Sequence, residues 1–447
     1  MKLTLPKQSK MNSTDFIYGV ATASFQIEGG VDTRLPCIWD TFCTLDNTIT
    51  DGSNGNVACD HINKWPEDIE MIHSLGVDAY RLSISWGRVV NKDGSVNEQG
   101  INFYIALLDT LIEKNIKPFV TLYHWDLPQY LEDNGGWLNR KTAYEFQKYA
   151  EIVIQRFGNR VHSYATLNEP FCSAYLGYEI GIHAPGKKGK EFGKKAAHHL
   201  LLAHGLAMKS LKKLSPNTLN GIVLNFTPCY SFSENILDKK AVQYADDYLN
   251  QWYIKPIIDG EYPEIIETLP ESQQPNIIEG DLNIISESID FLGINYYTRA
   301  VFKADEENIY TEVPPMDKPL TDMGWEIYPQ GFSDLLISLN NKYTLPPIYI
   351  TENGAAMQDL MSNNKVNDIE RISYYQSHLN AVDEAINSGV DIRGYFAWSL
   401  MDNFEWAEGY LKRFGIVYVD YDSQQRTIKA SGYAYRDLLN QRGVNEI

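Results

Sequence analysis

Pro118-Phe119-Val120-Thr121-Leu122-Tyr123 and Val161-His162-Ser163-Tyr164-Ala165-Thr166-Leu167 are two short β-rich runs, and an amphipathic helical stretch, Lys141–Phe157, lies between them. That is the pattern of two parallel strands joined by a helical crossover. The alternation extends along the chain. Further strand candidates are Phe16–Ala23, Ala79–Ser85, Gly221–Phe226, Phe291–Asn295, Ile348–Thr351 and Ile392–Trp398, eight with the first two. Helical patterns fall at Pro66–Leu75, Ile101–Lys114, Lys195–Leu214, Gly331–Tyr343 and Asp368–Ser388. Pro66 with Glu67 and Asp68 reads as a helix start, Pro at the first position and acids in the first turn, and Gly76 as its stop. Eight such units predict an α/β fold, a single (β/α)8 barrel spanning 1–447 with extended βα loops; an open doubly wound sheet is the alternative. Thr44–Cys59 and Ala304–Met323 read as surface loops, and no composition shift marks a linker.

The choice of fold decides what the strand ends can do. Glu169 and Glu352 each follow a strand candidate, in Thr166-Leu167-Asn168-Glu169-Pro170 and Ile350-Thr351-Glu352-Asn353-Gly354, 183 residues apart. Glycosidic bond cleavage usually needs two carboxyl groups, one as acid/base and one as nucleophile or base. A barrel gathers all eight strand C-termini on one face. The other strand ends supply Ser24, Gln26 and Glu28; His124, Trp125 and Asp126; Asn295, Tyr296 and Tyr297; Trp398, Asp402, Asn403, Glu405 and Trp406. Sugars need both kinds of group, amides and carboxylates for hydroxyls and ring faces for C–H surface. Taken singly, each has a plainer reading: a Trp after a strand is core, and a Glu is a solvated helix-start charge. Arg81, inside an apolar strand, needs an anionic partner, and a nucleophilic carboxylate is a natural one.

Composition narrows the classes. The chain has 447 residues, 44% of them hydrophobic, and a net charge of −19. Such an acidic surface repels phosphates, so nucleic acid is not an expected partner; a neutral small molecule fits better, and the charge also serves solubility. Five scattered cysteines are not a disulfide framework, and together with a polar, h-region-free Met1–Asp15 they predict a reduced, cytoplasmic protein. No apolar run reaches the length of a membrane span, so no membrane partner is expected. Ala196–Leu206 reads as an apolar helix, which assigns His198, His199 and His204 structural roles; no metal is expected. The Lys-rich 186–195 stretch lacks the Gly-Lys-Ser/Thr of a phosphate loop and reads as a solvated basic loop. Neither GxGxxG nor GxSxG occurs, and no cofactor is expected.

Asn168-Glu169-Pro170 and Thr351-Glu352-Asn353-Gly354 resemble the acid/base and nucleophile motifs of glycoside hydrolase family 1, the β-glucosidase family. Matching blocks run in order along the chain: Gly19–Gly29, Trp65–Asp68, Tyr80–Trp86, Tyr123–Pro128, Ala184–Gly186, Gly293–Tyr297, Trp398–Trp406 and the Arg426–Tyr435 tail. The resemblance implies a barrel and net retention of anomeric configuration, with Glu169 as general acid/base and Glu352 as nucleophile at a carboxyl separation of about 5–5.5 Å. Arg81 and the Tyr297 hydroxyl would support the charge of Glu352. Gln26, His124, Trp125, Asn168, Asn295, Tyr297, Trp398, Glu405 and Trp406 would bind the terminal sugar, Asn168 at its 2-hydroxyl. Trp325, Asn225 and His183 would flank the aglycone.

Tyr164, Phe25 and Cys37 depart from the residues common in the family, and none touches the carboxylates. Glu169 argues against the thioglucosidase branch, which loses the acid/base. The activity implied is exo-hydrolysis of terminal β-D-glucosyl residues in aryl β-glucosides, cellobiose and short cello-oligosaccharides, and also of β-galactosides and β-fucosides. The alternatives are a 6-phospho-β-glucosidase, against which Glu405 speaks, and a non-catalytic sugar-binding barrel, against which the presence of both glutamates speaks. Sugar preference and oligomeric state are not readable from the sequence.

Overall fold

The computed structural model describes residues 1–442; positions 443–447, the end of the expected 1–447 unit, lie outside the described residues. Eight parallel strands close a barrel: β1 (Ile17–Ala21), β2 (Ala79–Ser83), β3 (Lys117–Tyr123), β4 (Ser163–Asn168), β5 (Leu219–Phe226), β6 (Phe291–Tyr296), β7 (Ile348–Asn353) and β8 (Ile392–Trp398). Each pairs with its neighbours in sequence, and β8 returns to β1 with Trp398 opposite Ala21. That last pairing excludes the open sheet. All eight expected strands are present, with ends shifted by no more than a few residues.

Every residue of β1, β2, β4, β6 and β7 is buried. Parallel strands covered on both faces read as near-continuous apolar runs, which is why they stood out in the sequence. The main covering helices are α1 (His61–Ser74), α2 (Glu98–Glu113), α3 (Lys141–Phe157), α4 (Lys190–Leu214), α5 (Ile236–Asp246), α6 (Pro329–Lys342), α7 (Ile369–Asn387) and α8 (Ala430–Leu439). Inside the barrel, Phe119 meets Phe396 at 4.9 Å and Tyr349 at 5.6 Å between ring centroids, with Ile17, Val223 and Phe291 beside them. The lumen is therefore a packed plug, and the cavity above it has a floor. Gly19 makes room for this plug, since a Cβ there would fall 2.3 Å from the Phe396 ring.

Several expectations need correction. Helix α1 begins at His61, and Pro66 sits inside it. The earlier turn forms its first helical bond from the Lys64 N–H to Asp60 O, and the otherwise unpaired N–H of Ile62 donates outside the helix to Glu28 O. Proline there forfeits one backbone bond while its fixed φ already suits the helix. Gly76 does end the helix, in the left-handed region at φ 68°. Part of Ala304–Met323 is a hairpin: Ala300–Asp305 pairs antiparallel with Ile309–Glu312, and Cys229–Ser231 joins as a third strand. Its turn is set by Asp305, whose Oδ1 accepts the backbone N–H groups of Glu307 and Asn308.

The Lys-rich stretch is only partly solvated. Lys194 is helical and buried; its Nζ donates to Tyr248 O and lies 3.5 Å from the Tyr248 ring centroid and 4.3 Å from that of Trp252. An aromatic cage of this kind replaces part of the hydration a buried ammonium loses. The three histidines of α4 take structural contacts: His198 with Asp281 and Tyr262, His199 with Trp137 O, and His204 with Thr166.

Candidate active site

Both glutamates stand at the C-terminal mouth of the barrel, beside irregularities that a sequence pattern does not show. The β7–β6 register shifts between Ile350 and Glu352, which sets Glu352 opposite Asn295. The β4–β5 register shifts between Ala165 and Asn168. Such bulges re-aim side chains. Glu169 itself has φ 48°, and Trp125 and Trp406, at neighbouring loop starts, have φ 75° and 47°. Left-handed backbone at bulky residues is costly and gathers at functional sites.

Glu352 is clamped on both oxygens. Arg81 Nη1 donates to Oε1 at 2.6 Å, and the Tyr297 hydroxyl donates to Oε2 at 2.6 Å. Burial pushes the Tyr297 phenol well above its ordinary range, so it remains a donor. The other end of the guanidinium, Nη2, donates to Asn168 Oδ1 at 2.7 Å.

Glu169 has a different environment. Its Oε1 accepts from Asn295 Nδ2 at 2.6 Å and its Oε2 from the Cys172 thiol at 3.2 Å. Burial raises its pKa above the usual carboxyl range, and the nearby charge of Glu352 raises it further; the two hydrogen bonds and Arg81 oppose this. The two buried carboxyls thus differ in surroundings: Glu352 faces a cation, and Glu169 resists ionisation. Asn295 Nδ2 also reaches Asn168 Oδ1 at 3.1 Å, so a continuous chain of polar contacts links the two sites.

That chain fixes a tautomer. A guanidinium only donates, so the oxygen of Asn168 must face Arg81, and its amide nitrogen then faces His124 Nε2 at 3.1 Å. His124 Nε2 is therefore the acceptor, and the ring proton sits on Nδ1. Burial holds this imidazole neutral, its pKa well below the ordinary value. Nδ1 has no protein partner and is left free to donate.

A cavity of about 440 Å³ opens above the barrel plug. Glu169, Glu352, His124, Trp125, Asn295, Tyr297, Trp398, Glu405 and Trp406 line it, with the His124 ring stacked 5.9 Å from both Trp398 and Trp406. The three expected aglycone residues, His183, Asn225 and Trp325, line the same cavity, and Trp325 lies 5.5 Å from the Tyr297 ring. Gln26, Arg81 and Asn168 touch residues that line it: Gln26 reaches Glu405, Arg81 reaches Glu352 and Asn168 reaches His124. Gln26 Nε2 donates to Phe404 O at 2.9 Å and to Asn403 Oδ1 at 3.1 Å, leaving Oε1 unpartnered. Asn168 is occupied by Arg81, Asn295 and His124.

Unpartnered buried polar atoms occur in several parts of the molecule, and some of them are gathered in and beside this cavity. Gln26 Oε1, Arg81 Nε, His124 Nδ1, His183 Nδ1 and Asn225 Oδ1 are buried side-chain atoms without a partner. Most buried polar atoms in folded proteins are paired, so those left unpaired here are able to meet the polar groups of a ligand. Four glutamates line the cavity (Glu169, Glu352, Glu405 and Glu408) and no Lys or Arg does. Glu405 is raised to about 8 by burial and then by the charges of Glu352 and Glu169. Asp402 plays another part than the sequence suggested. It accepts from Lys429 Nζ at 2.6 Å and Arg413 Nη1 at 2.6 Å, and so ties down the loop that carries Glu405 and Trp406.

The sequence reading missed Cys172 and the apolar lining residues Phe171, Leu176, Ile182, Met323 and Phe414. Only their adjacency to Pro170 and His183 hinted at Phe171, Cys172 and Ile182. The π-helix Cys172–Glu179 that presents Cys172 and Leu176 has no recognised sequence signal. Among the described residues, no group of three or more His, Cys, Asp or Glu is placed to hold a metal, and no helix is long and apolar enough to cross a membrane.

The family model for glycosyl hydrolase family 1 matches residues 8–444. A β-glucosidase of Agrobacterium sp. is 44% identical over 436 residues, covering 95% of this chain and 95% of that protein. A bifunctional β-D-glucosidase/β-D-fucosidase of Bifidobacterium breve is 42% identical over 453 residues, covering 95% and 97%. Among solved structures, a family 1 glycoside hydrolase of Thermotoga maritima, complexed with a cyclophellitol analogue transition-state mimic, is 43% identical; the match covers 99% of each chain with a TM-score of 0.93.

Proposed function

The chain belongs to glycosyl hydrolase family 1 and is a retaining glycosidase of the β-glucosidase class; on that premise we propose that Glu352 is its nucleophile and Glu169 its acid/base. Glu352 attacks the anomeric carbon of a terminal β-D-glucosyl residue as the bond to the departing oxygen breaks, and Glu169 gives that oxygen its proton. The covalent glycosyl-enzyme is then attacked by water, Glu169 takes the water's proton, and Glu352 leaves as a carboxylate. Two inversions at one carbon give net retention. The observation that carries the assignment is the asymmetry of the pair. Glu352 lies between a guanidinium and a phenol, while Glu169 has only an amide and a thiol.

The same asymmetry accounts for the change of role. While Glu352 is charged, it raises the cost of ionising Glu169. Esterification removes that charge, and Glu169 then ionises more readily and serves as base. The orphaned acceptor of Gln26 and donor of His124 suit adjacent hydroxyls of the terminal sugar, and Trp398 suits its ring face. Trp325, Asn225 and His183 suit the aglycone. The substrates proposed are aryl β-glucosides, cellobiose and short cello-oligosaccharides, with β-galactosides and β-fucosides also accepted.

A 6-phosphorylated sugar fits poorly. Its dianion would enter a cavity with no lysine or arginine in its lining to receive it. Purified protein should hydrolyse an aryl β-glucoside, and Glu352→Gln should abolish turnover while the protein stays folded. Activity restricted to the 6-phosphate, or undiminished turnover in Glu352→Gln, would overturn the reading. Five free cysteines fit a reducing, cytoplasmic setting, and the net charge of −19 fits a small neutral substrate better than nucleic acid.

A further inference from the structure

Cys172 is the residue whose contact the proposed mechanism leaves unused. It opens the π-helix Cys172–Glu179, directly after the Glu169–Phe171 turn. Its backbone N–H donates to Glu169 O at 2.9 Å, which closes that turn and brings the thiol back over the Glu169 carboxyl. The Sγ to Oε2 distance is 3.2 Å, and the residue both lines the cavity and is 7% exposed. Burial, with the charges of Glu169 and Glu352, raises this thiol well above its ordinary range. It therefore stays S–H, a weak donor and not a nucleophile.

The two oxygens of Glu169 are not equivalent. Oε1 already accepts an N–H from Asn295 at 2.6 Å, so a proton carried by the neutral acid rides on Oε2. Oε2 is the oxygen beside Cys172. When that proton passes to the departing oxygen, Oε2 becomes anionic and the thiol is the hydrogen-bond donor at hand. We propose that Cys172 is a positioning residue for Glu169, holding Oε2 toward the cavity and donating its S–H to that oxygen in the ionised state. No bond to sulfur forms or breaks. The thiol compensates the anion weakly, so Glu169 remains a reluctant acid at rest and an adequate base after glycosylation. A hydroxyl would compensate it more and an alkyl group not at all. This inference rests on Glu169 being the acid/base.

The other groups facing Glu169 are Arg81 from β2, Asn295 and Tyr297 from the end of β6, Glu352 from β7 and Glu405 from the loop after β8. Cys172 faces Glu169 and Glu352, with Tyr253 nearby. Substitution at position 172 leaves all of these in place.

The test is the pH profile of kcat/KM for an aryl β-glucoside with Cys172→Ser, Cys172→Ala and Cys172→Val. The alkaline limb should move down for Ser and up for Ala and Val, by about 0.5–1 pH unit each way, since a hydrogen bond to a charged group has that order of effect. A limb that stays in place in folded Ser and Ala variants, whatever their rates, would overturn the proposal. Combining each change with Glu169→Gln should erase the differences; a Ser-to-Ala shift that persists without the Glu169 carboxyl would also overturn it. Glu169→Gln alone separates the two claims: wild-type kcat/KM on a substrate with a poor leaving group would sink the acid/base assignment instead. Should Cys172→Val fail to fold, the near-isosteric Ser variant still reports the shift.

Discussion

Arg81 on β2 reaches across the barrel mouth to Glu352 on β7, with Nη1 2.6 Å from Oε1 and both side chains nearly inaccessible to solvent. Neither group is at home alone in such a place. A buried ion pair is a poor source of net stability, because desolvation consumes most of the Coulomb gain, but breaking one is costly. The pair is therefore better understood as fixing the Glu352 carboxylate in place at the barrel mouth than as a source of stability.

Replacing Arg81 should accordingly cost both turnover and stability, since it leaves the Glu352 carboxylate buried without its cation. We expect Arg81→Met to lower kcat/KM by about 10²–10³-fold, from the loss of one preorganised charge partner. Arg81→Lys should recover only part of this, because an ammonium cannot donate in a fixed fork to Glu352 and Asn168 together. Steady-state kinetics beside circular dichroism would decide it; a Met variant at wild-type rate would refute the clamp.

Glu169 should govern the alkaline limb of the pH–rate profile. Its folded-state pKa is raised, so the protonated acid is present below that pKa and lost as pH rises through it. Glu169→Gln should remove the limb and cost about 10²–10⁴-fold for substrates with poor leaving groups. An activated aryl glucoside should retain faster glycosylation, since its leaving group needs no proton. Equal losses on both substrates would contradict the acid role.

Glu405 carries a stability cost with a definite sign. Its folded pKa is raised to about 8, so between the ordinary carboxyl value and about 8 the native state holds more protons than the unfolded chain. Stability contributed by this group is then full at low pH and declines as pH rises through that window. Glu405→Gln should match wild type in Tm near pH 4 and exceed it at pH 9, by on the order of 1–3 °C for a chain of this size. The same change should raise KM for glucosides. A Tm difference independent of pH would show that the carboxyl charge is not its source.

Gln26 and His124 should report on sugar binding. Each presents one unpartnered buried atom near the cavity, an acceptor at Gln26 Oε1 and a donor at His124 Nδ1. Gln26→Leu and His124→Phe should each weaken a competitive sugar-mimic inhibitor by about 10–100-fold, the order expected for one hydrogen bond in a dry site. Unchanged inhibition constants would mean that these atoms do not meet the ligand.

Much of this protein was legible before its structure. The strands were visible because parallel barrel strands are buried on both faces, so β1 to β8 appear as apolar runs between amphipathic helices. Glu169 and Glu352 were visible because their motifs are local. Arg81 stood out because a charge within an apolar strand demands a partner. What escaped notice depended on residues brought together from afar. Helix α1 starts at His61, where Glu28, far away in sequence, accepts the Ile62 N–H that the first turn leaves unpaired. Lys194 is buried because Tyr248 and Trp252 enclose it. Cys172 matters because a π-helical turn folds its thiol back onto a carboxyl three residues earlier.

The sequence by itself determined the fold class, the two carboxylates and the identity of most cavity-lining groups, since periodicity and short motifs are properties of neighbouring residues. The family motifs implied how their labour divides; only the tertiary structure supplied a physical asymmetry that fits the division. It placed a guanidinium and a phenol on Glu352 and an amide and a thiol on Glu169, fixed the His124 tautomer through Asn168, and left Gln26 Oε1 and His124 Nδ1 unpartnered. Those are differences in burial and in distances of a few ångströms between residues up to hundreds of positions apart, and a linear pattern carries no record of them.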